Sequence, residues 1–188
     1  WHGQRHVASI PVRGGKFVFH TRGRKSITMG NLSAEGNRMA LCHANPTRPD
    51  EVALGSLETP KTPVRLKLDR LTKFNKPLLD ELELSEPEMV WLESASGTKV
   101  QTWVIKPPGF KEKRKYPAVL EIHGGPHAQY GEAFFHEMQL LAANGYVVFF
   151  SNPRGSKGYG EEHCISIRGK WGAADWEDIQ AVTAFMQE

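Results

Sequence analysis

The sharpest chemical signal in the chain is the tetrapeptide His123-Gly124-Gly125-Pro126, set directly after a short apolar run from Ala118 to Ile122. Two glycines between a buried strand and a helix let the backbone come close to a ligand, with N–H groups free to point at it. Acyl transfer needs such donors, aimed at the oxygen that becomes negative in the tetrahedral intermediate. Gly124 and Gly125 are therefore candidates for that task. The same four residues would equally serve as a tight strand-to-helix turn with no chemistry.

The other candidate groups point away from rival chemistries. His123 and His127 stand four apart, a metal-binding spacing on a helix, but here they span a strand end and a turn, and no H-E-x-x-H occurs; no metal or other cofactor is expected. Gly155-Ser156-Lys157-Gly158-Tyr159-Gly160 has neither the Walker nor the dinucleotide spacing and reads as a structural loop at a strand's carboxyl end. A serine nucleophile on a strand-to-helix elbow is written G-x-S-x-G, but the residue two before Ser156 is Arg154, and no other serine fits. The chain thus offers a candidate oxyanion loop, of the kind that follows an early strand of the α/β-hydrolase fold, without a nucleophile.

Two kinds of element must position these residues. The first third reads as short strands, Lys16 to Thr21, Ser26 to Asn31, Arg38 to His43, Glu51 to Leu57 and Val64 to Leu68, separated by turn signals. Strand, Ser-x-x-Gly turn and strand from Ser26 to His43 suit a β-propeller blade, and a sandwich fragment stays open beside it. Residues 70–88 read as a connector that crosses extended or as a short helix. A hairpin follows, Glu88 to Ser94 and Thr98 to Ile105, and then alternation: strand Ala118 to Ile122, buried on both faces, helix Glu132 to Ala143 stopped by Asn144-Gly145, strand Tyr146 to Phe150, and a last helix N-capped by Asp175. Trp176, Ile179, Val182 and Phe185 or Met186 form that helix's apolar stripe. Such alternation predicts an α/β domain with parallel strands.

Composition narrows the class. The 188 residues are 39% hydrophobic and 24% charged, and no apolar run approaches the ~20 residues of a membrane helix. The net charge of +3 divides unevenly: residues 1–86 carry 14 Lys and Arg against 9 Asp and Glu, residues 87–188 carry 10 against 12. The basic clusters Arg22 to Lys25 and Lys111 to Lys115 lie in predicted loops, not in the dense stripe of a nucleic-acid binder, so neither nucleic acid nor membrane is expected as a partner. Cys42 and Cys164 stand far apart, outside any C-x-x-C, and read as two reduced thiols of a cytoplasmic protein. The chain opens on Trp1, which reads as a cut inside a longer protein.

Four segments together resemble the prolyl oligopeptidase family, peptidase family S9, in its acylaminoacyl-peptidase-like branch. They are Arg70 to Asn75, Tyr116 to His127, Asn152 to Gly160 and Trp171 to Asp178; the match runs across most of residues 60–188 and is looser before that. The resemblance implies the last part of an all-β propeller over residues 1–80, and over 81–188 the N-terminal half of an α/β-hydrolase domain with a parallel sheet. It implies a serine peptidase that hydrolyses short or N-acylated peptides through an acyl-enzyme. Gly125 would give its backbone N–H to the oxyanion and Gly124 would shape the loop. The nucleophile, acid and base would lie beyond Glu188, so this segment alone is expected to be inactive, with its fold completed by the rest of its own polypeptide. A serine esterase on the same fold, or a non-catalytic propeller–hydrolase binding scaffold, are the alternatives.

Overall fold

The computed structural model describes residues 1–57 and 65–187. The chain divides into two compact units, one of Gln4–Leu82 with Glu132–Phe134, the other of Trp1–Gly3, Glu83–Gly131 and Phe135–Glu188.

In the first unit, β1 (Ala8–Ser9) pairs with β2 (Val18–Phe19), and β3 (Ser26–Leu32), β4 (Arg38–Asn45), β5 (Arg48–Leu57) and β6 (Leu66–Arg70) form an antiparallel sheet in sequence order. Alternation along the strands gives the sheet one apolar face, where Ile27, Met39, Leu41, Ala53 and Leu66 pack with Val7. Gly55 permits that packing, because a Cβ there would stand 2.7 Å from Leu66 Cδ2. The strand expected at Glu51 begins earlier, at Arg48: Asn45 and Arg48 pair across a tight turn, and Asn45 Oδ1 accepts the Thr47 N–H at 3.1 Å. The strand expected from Val64 begins at Leu66, Val64 itself lying outside the described residues. The connector forms one helical turn, α1 (Lys76–Leu79).

In the second unit, β7 (Glu88–Glu93), β8 (Lys99–Ile105), β9 (Ala118–Glu121) and β10 (Val147–Asn152) make one sheet in the order β7-β8-β10-β9. Only β9 and β10 run parallel; β7–β8 and β8–β10 are antiparallel. The expectation of a parallel sheet is corrected to a mixed one, since the 88–105 hairpin enters it as two of its strands. β9 is half-buried at the sheet's edge among the described residues, where burial on both faces was expected.

Both faces of the two central strands are covered. On one, Trp103, Ile105, Val148 and Phe150 meet Met138 and Ala142 of α2 (His136–Ala143), the Trp103 and Phe150 rings stacking at 5.4 Å. On the other, Val100, Val104 and Phe149 meet Val182 of α4 (Ala174–Met186). α2 stops at Asn144-Gly145 as its sequence predicts, Gly145 taking φ 89°. It starts four residues later than expected, because Glu132 is buried with its carboxylate on Arg24 at 2.8 Å and Phe135 is extended. α4 starts at Ala174; Asp175 accepts the Gly172 N–H at 2.7 Å instead of capping the helix. Trp176 leaves the expected stripe and is 55% exposed. A short helix, α3 (Glu161–Ile165), follows the Gly-rich loop and was not foreseen. Among the described residues no helix is long and apolar enough to cross a membrane.

Candidate active site

Parallel pairing sends β9 and β10 out of the same end of the sheet, with Glu121 opposite Phe150. Their loops, from Ile122 and from Pro153, leave side by side, and ligands of α/β sheets gather at such carboxyl ends.

The turn after β9 holds the two glycines, both exposed. Gly125 has φ 134°, a conformation that favours glycine, and a Cβ there would lie 2.9 Å from the backbone nitrogens of both His127 and Ala128. Among the described residues its N–H donates to no protein acceptor. The turn thus presents an exposed, uncommitted backbone donor with no side chain over it, the element an oxyanion hole requires.

Side chains from both loops fix that turn. His123 sets Nδ1 2.9 Å from the Gly124 carbonyl oxygen and Nε2 2.9 Å from Ser156 Oγ. His127 Nδ1 stands 2.9 Å from the Gly155 carbonyl oxygen and 3.2 Å from Cys164 Sγ. The Lys157 N–H donates to the Ala128 carbonyl at 2.9 Å. Asn152, fully buried, bridges the loops twice: its Oδ1 accepts the Tyr130 N–H at 2.8 Å and its Nδ2 donates to the Tyr130 carbonyl at 2.9 Å. The same amide donates to the Tyr159 hydroxyl, which donates to Gln101 Oε1, each at 2.6 Å. Burial pushes the Tyr159 phenol well above its ordinary value, so it keeps the proton this chain of bonds needs.

The second loop is anchored in turn by an ion pair. Asp178, on α4 and 0% exposed, accepts the Arg154 backbone N–H at 2.7 Å, its Nε–H at 3.1 Å and an Nη2–H at 2.8 Å. Glu177 adds a contact to the same guanidinium at 3.1 Å, and bonds from the Ser96 hydroxyl and backbone N–H, with Arg154, push its carboxyl down to about 2. His163 Nε2 reaches the Pro153 carbonyl at 3.1 Å, and burial lowers its basicity.

Ser156 and His123 have the spacing of a nucleophile and its base, yet Ser156 is fully buried and its hydroxyl donates to the Pro153 carbonyl at 2.6 Å. No substrate reaches it, and its work lies within the fold. His123 and His127 do not converge on one point as metal ligands would: one ring faces Ser156, the other Gly155 and Cys164. Reading the sequence segment by segment brought out neither the Arg154–Asp178 pair nor the His123–Ser156 contact. The only available sign was that Asp178, Ser156 and Asn152 are polar residues inside or beside apolar runs.

Residues 132–188 match the model described as the prolyl oligopeptidase family. Over 160 residues, 85% of this chain and 23% of the relative, the chain is 39% identical to an uncharacterized peptidase, YuxL, of Bacillus subtilis (strain 168). It is 35% identical to dipeptidyl-peptidase 5 of Arthroderma otae over 68% of this chain and 17% of that protein. Among solved structures, an acylaminoacyl peptidase in complex with Z-Gly-Gly-Phe-chloromethyl ketone superposes over 99% of this chain with a TM-score of 0.82 at 28% identity, and the chain covers 28% of it. The acylaminoacyl peptidase of Pyrococcus horikoshii gives a TM-score of 0.80 at the same identity and coverage. The chain therefore spans about a quarter or less of the length of these relatives.

Proposed function

Taking as premise that this chain belongs to the prolyl oligopeptidase family of peptidases, we propose that it supplies half of the oxyanion hole of a serine peptidase, through the backbone N–H of Gly125. The observation that carries this is the free N–H on an exposed glycine turn at the carboxyl end of β9. In the proposed reaction a serine attacks the scissile carbonyl, and its proton passes to a histidine. The carbonyl oxygen gains charge against the Gly125 N–H and a second donor, and the acyl-enzyme is then hydrolysed. The serine, histidine and acid are supplied by the rest of the polypeptide, since no serine here stands in G-x-S-x-G; the segment alone does not hydrolyse peptides. In this reading the first unit is propeller and the second is the start of an α/β-hydrolase domain. The substrates are short or N-acylated peptides, in keeping with the acylaminoacyl peptidases it superposes on. Two free thiols suit a reducing compartment such as the cytoplasm.

The test is made on the full-length protein. A serine-reactive phosphonate labels it, and acyl-amino-acid anilides are hydrolysed in preference to simple esters of the same acyl group; the reverse preference would make it an esterase. Gly125→Ala adds a Cβ that the turn cannot seat and displaces the donor, so kcat falls by roughly 10²–10³, the cost of one oxyanion donor. Undiminished kcat in this variant refutes the assignment.

A further inference from the structure

The basic run Arg22 to Lys25 divides in the folded chain. Arg24 turns to Glu132, its Nε 2.8 Å from the carboxylate. Arg22 and Lys25 instead line a cavity of about 280 Å³ in the first unit, and Arg65, from the segment leading into β6, lines it with them. Phe19, Leu66 and Leu68 make its apolar wall. Among the described residues no carboxylate lines the cavity, and Arg22, Lys25 and Arg65 form no ion pair. The cations stand on backbone that is tied down. The Leu66 N–H donates to the His20 carbonyl at 2.9 Å, the His20 N–H to the Val7 carbonyl at 2.8 Å, and the Arg5 N–H to the Lys25 carbonyl at 3.2 Å. The Phe19 ring is held edge-on by Phe17 at 5.0 Å, and Leu66 and Leu68 pack on the sheet's apolar core. The uncompensated charge is felt nearby: His6 and His43 are held below their ordinary basicity, first by burial and then by positive charge, Lys25 being common to both.

We propose that this cavity binds a phosphate group carried on a small apolar body, the phosphate meeting Arg22, Lys25 and Arg65 and the body lying against Phe19 and the two leucines. Charge selects the phosphate. A carboxylate brings one negative charge to three cations, whereas a phosphate monoester brings about −1.5 to −2 near pH 7 and three acceptor oxygens. Two of the three cations are guanidinium forks, whose paired N–H groups match phosphate oxygens. The wall selects the body. At the ~30 Å³ that a water molecule occupies in the liquid, the cavity has room for roughly nine non-hydrogen atoms, more than a bare phosphate has. It lies just under the ~300 Å³ at which small-ligand pockets begin, which suits a single ring or short chain and excludes a folded partner. The site belongs to the first unit and is independent of the oxyanion reading of Gly125.

The experiment is calorimetric titration of the full-length protein with phenyl phosphate, inorganic phosphate and benzoate, at ~0.05 M salt so that exposed charges are less screened. Phenyl phosphate binds with a Kd around 1 mM, what a ligand of its size reaches at ordinary efficiency. Inorganic phosphate binds at least about threefold more weakly, for want of apolar area, and benzoate about tenfold more weakly, for want of the second charge. Arg65→Gln and Lys25→Gln each weaken phenyl phosphate roughly tenfold, the loss of one charge-assisted partner. Lys16→Gln, at an exposed lysine outside the cavity, stays within about twofold of the parent. Without ligand, Arg65→Gln and Lys25→Gln melt at or above the parent, because each relieves repulsion among like charges. No measurable binding of phenyl phosphate overturns the proposal, as does benzoate binding equally well. An equal loss in Lys16→Gln would make the attraction one of diffuse surface charge, and a lowered melt in the glutamine variants would mean that those cations are already satisfied within the fold; either sinks it. If inorganic phosphate matches phenyl phosphate, the wall contributes nothing and the proposal as stated fails.

Discussion

Asp178→Ala in the full-length protein is expected to be strongly destabilising although it touches no substrate. Asp178 is completely buried and takes three bonds from Arg154, whose side chain is 15% exposed. Removing one partner of a buried pair costs ~3–5 kcal/mol, because the survivor is left charged without its counter-ion. Two features pull the figure to the lower end. Glu177 still holds the guanidinium at 3.1 Å, and that side of Arg154 has some access to water. Against that, the Arg154 backbone N–H loses its acceptor, worth a further ~1 kcal/mol. The sum is ~3–4 kcal/mol. For a domain of ~150–250 residues each kcal/mol moves the melt by ~2–4 °C, so Tm drops by roughly 6–16 °C. Asp178→Asn, which keeps an acceptor oxygen but no charge, falls between the parent and the alanine variant. Glu177→Gln, at the half-buried rim, changes stability less than Asp178→Ala does. Urea unfolding followed by tryptophan fluorescence reads all three. A loss below ~1 kcal/mol for Asp178→Ala would mean that the pair does not hold the loop, and the anchoring of the second loop to α4 would fall with it.

Further outcomes follow from the same bookkeeping of buried polar groups. Tyr159→Phe strips the hydroxyl between Asn152 and Gln101 and leaves the Gln101 oxygen without its donor, at a cost of about 1–3 kcal/mol in the same unfolding assay. Glu51 in the first unit accepts the Asn75 N–H at 2.9 Å, the Thr72 hydroxyl and the Asn75 amide, which push its carboxyl from the usual 4.5 down to about 2. Its folded value lies below its unfolded one, so its contribution is whole above pH 4.5 and fades as pH falls from 4.5 through 2. Glu51→Gln should therefore lower the melt at pH 7 and flatten the acid limb of the stability profile in that window; an unchanged acid limb would show that those bonds do not survive in solution.

The legible parts of this fold were the local ones. Among the described residues, the strands and helices read from periodicity and turn residues overlap observed elements because their apolar faces repeat within a few residues, as in Met39 and Leu41 or Val182 and Phe185. What was misread depends on partners far away in the chain. The start of α2 moved because Glu132 is bound by Arg24, more than a hundred residues earlier. Asp178, three residues after an expected N-cap, looked like a capping acid and is instead a buried counter-ion of Arg154. The hairpin from Glu88 to Ile105 was visible, but nothing local says that both of its strands join β10 antiparallel and make the sheet mixed. At the candidate site, His123-Gly124-Gly125 gave the turn away by composition; that a serine 33 residues on would hold its histidine did not follow from any spacing.

The sheet order explains why the chemistry gathers where it does. Each antiparallel neighbour, β7 to β8 and β8 to β10, sends its following loop from the opposite end of the sheet to its partner's. Of the neighbouring strands only β9 and β10 share a direction, so the turn with Gly125 and the loop from Pro153 to Gly160 begin beside each other. That juxtaposition lets Asn152 and Tyr130, His127 and Gly155, and His123 and Ser156 meet within three residues of the strand ends or a short way beyond. A backbone donor needs rigidity more than it needs any particular side chain, because an N–H that swings freely loses the advantage of being aimed before the charge appears. Exposed glycines are the least rigid residues available. The turn can be both open to a substrate and fixed in direction only if its neighbours carry the constraint, and here two histidines carry it, one at the Gly124 carbonyl and the other at the Gly155 carbonyl.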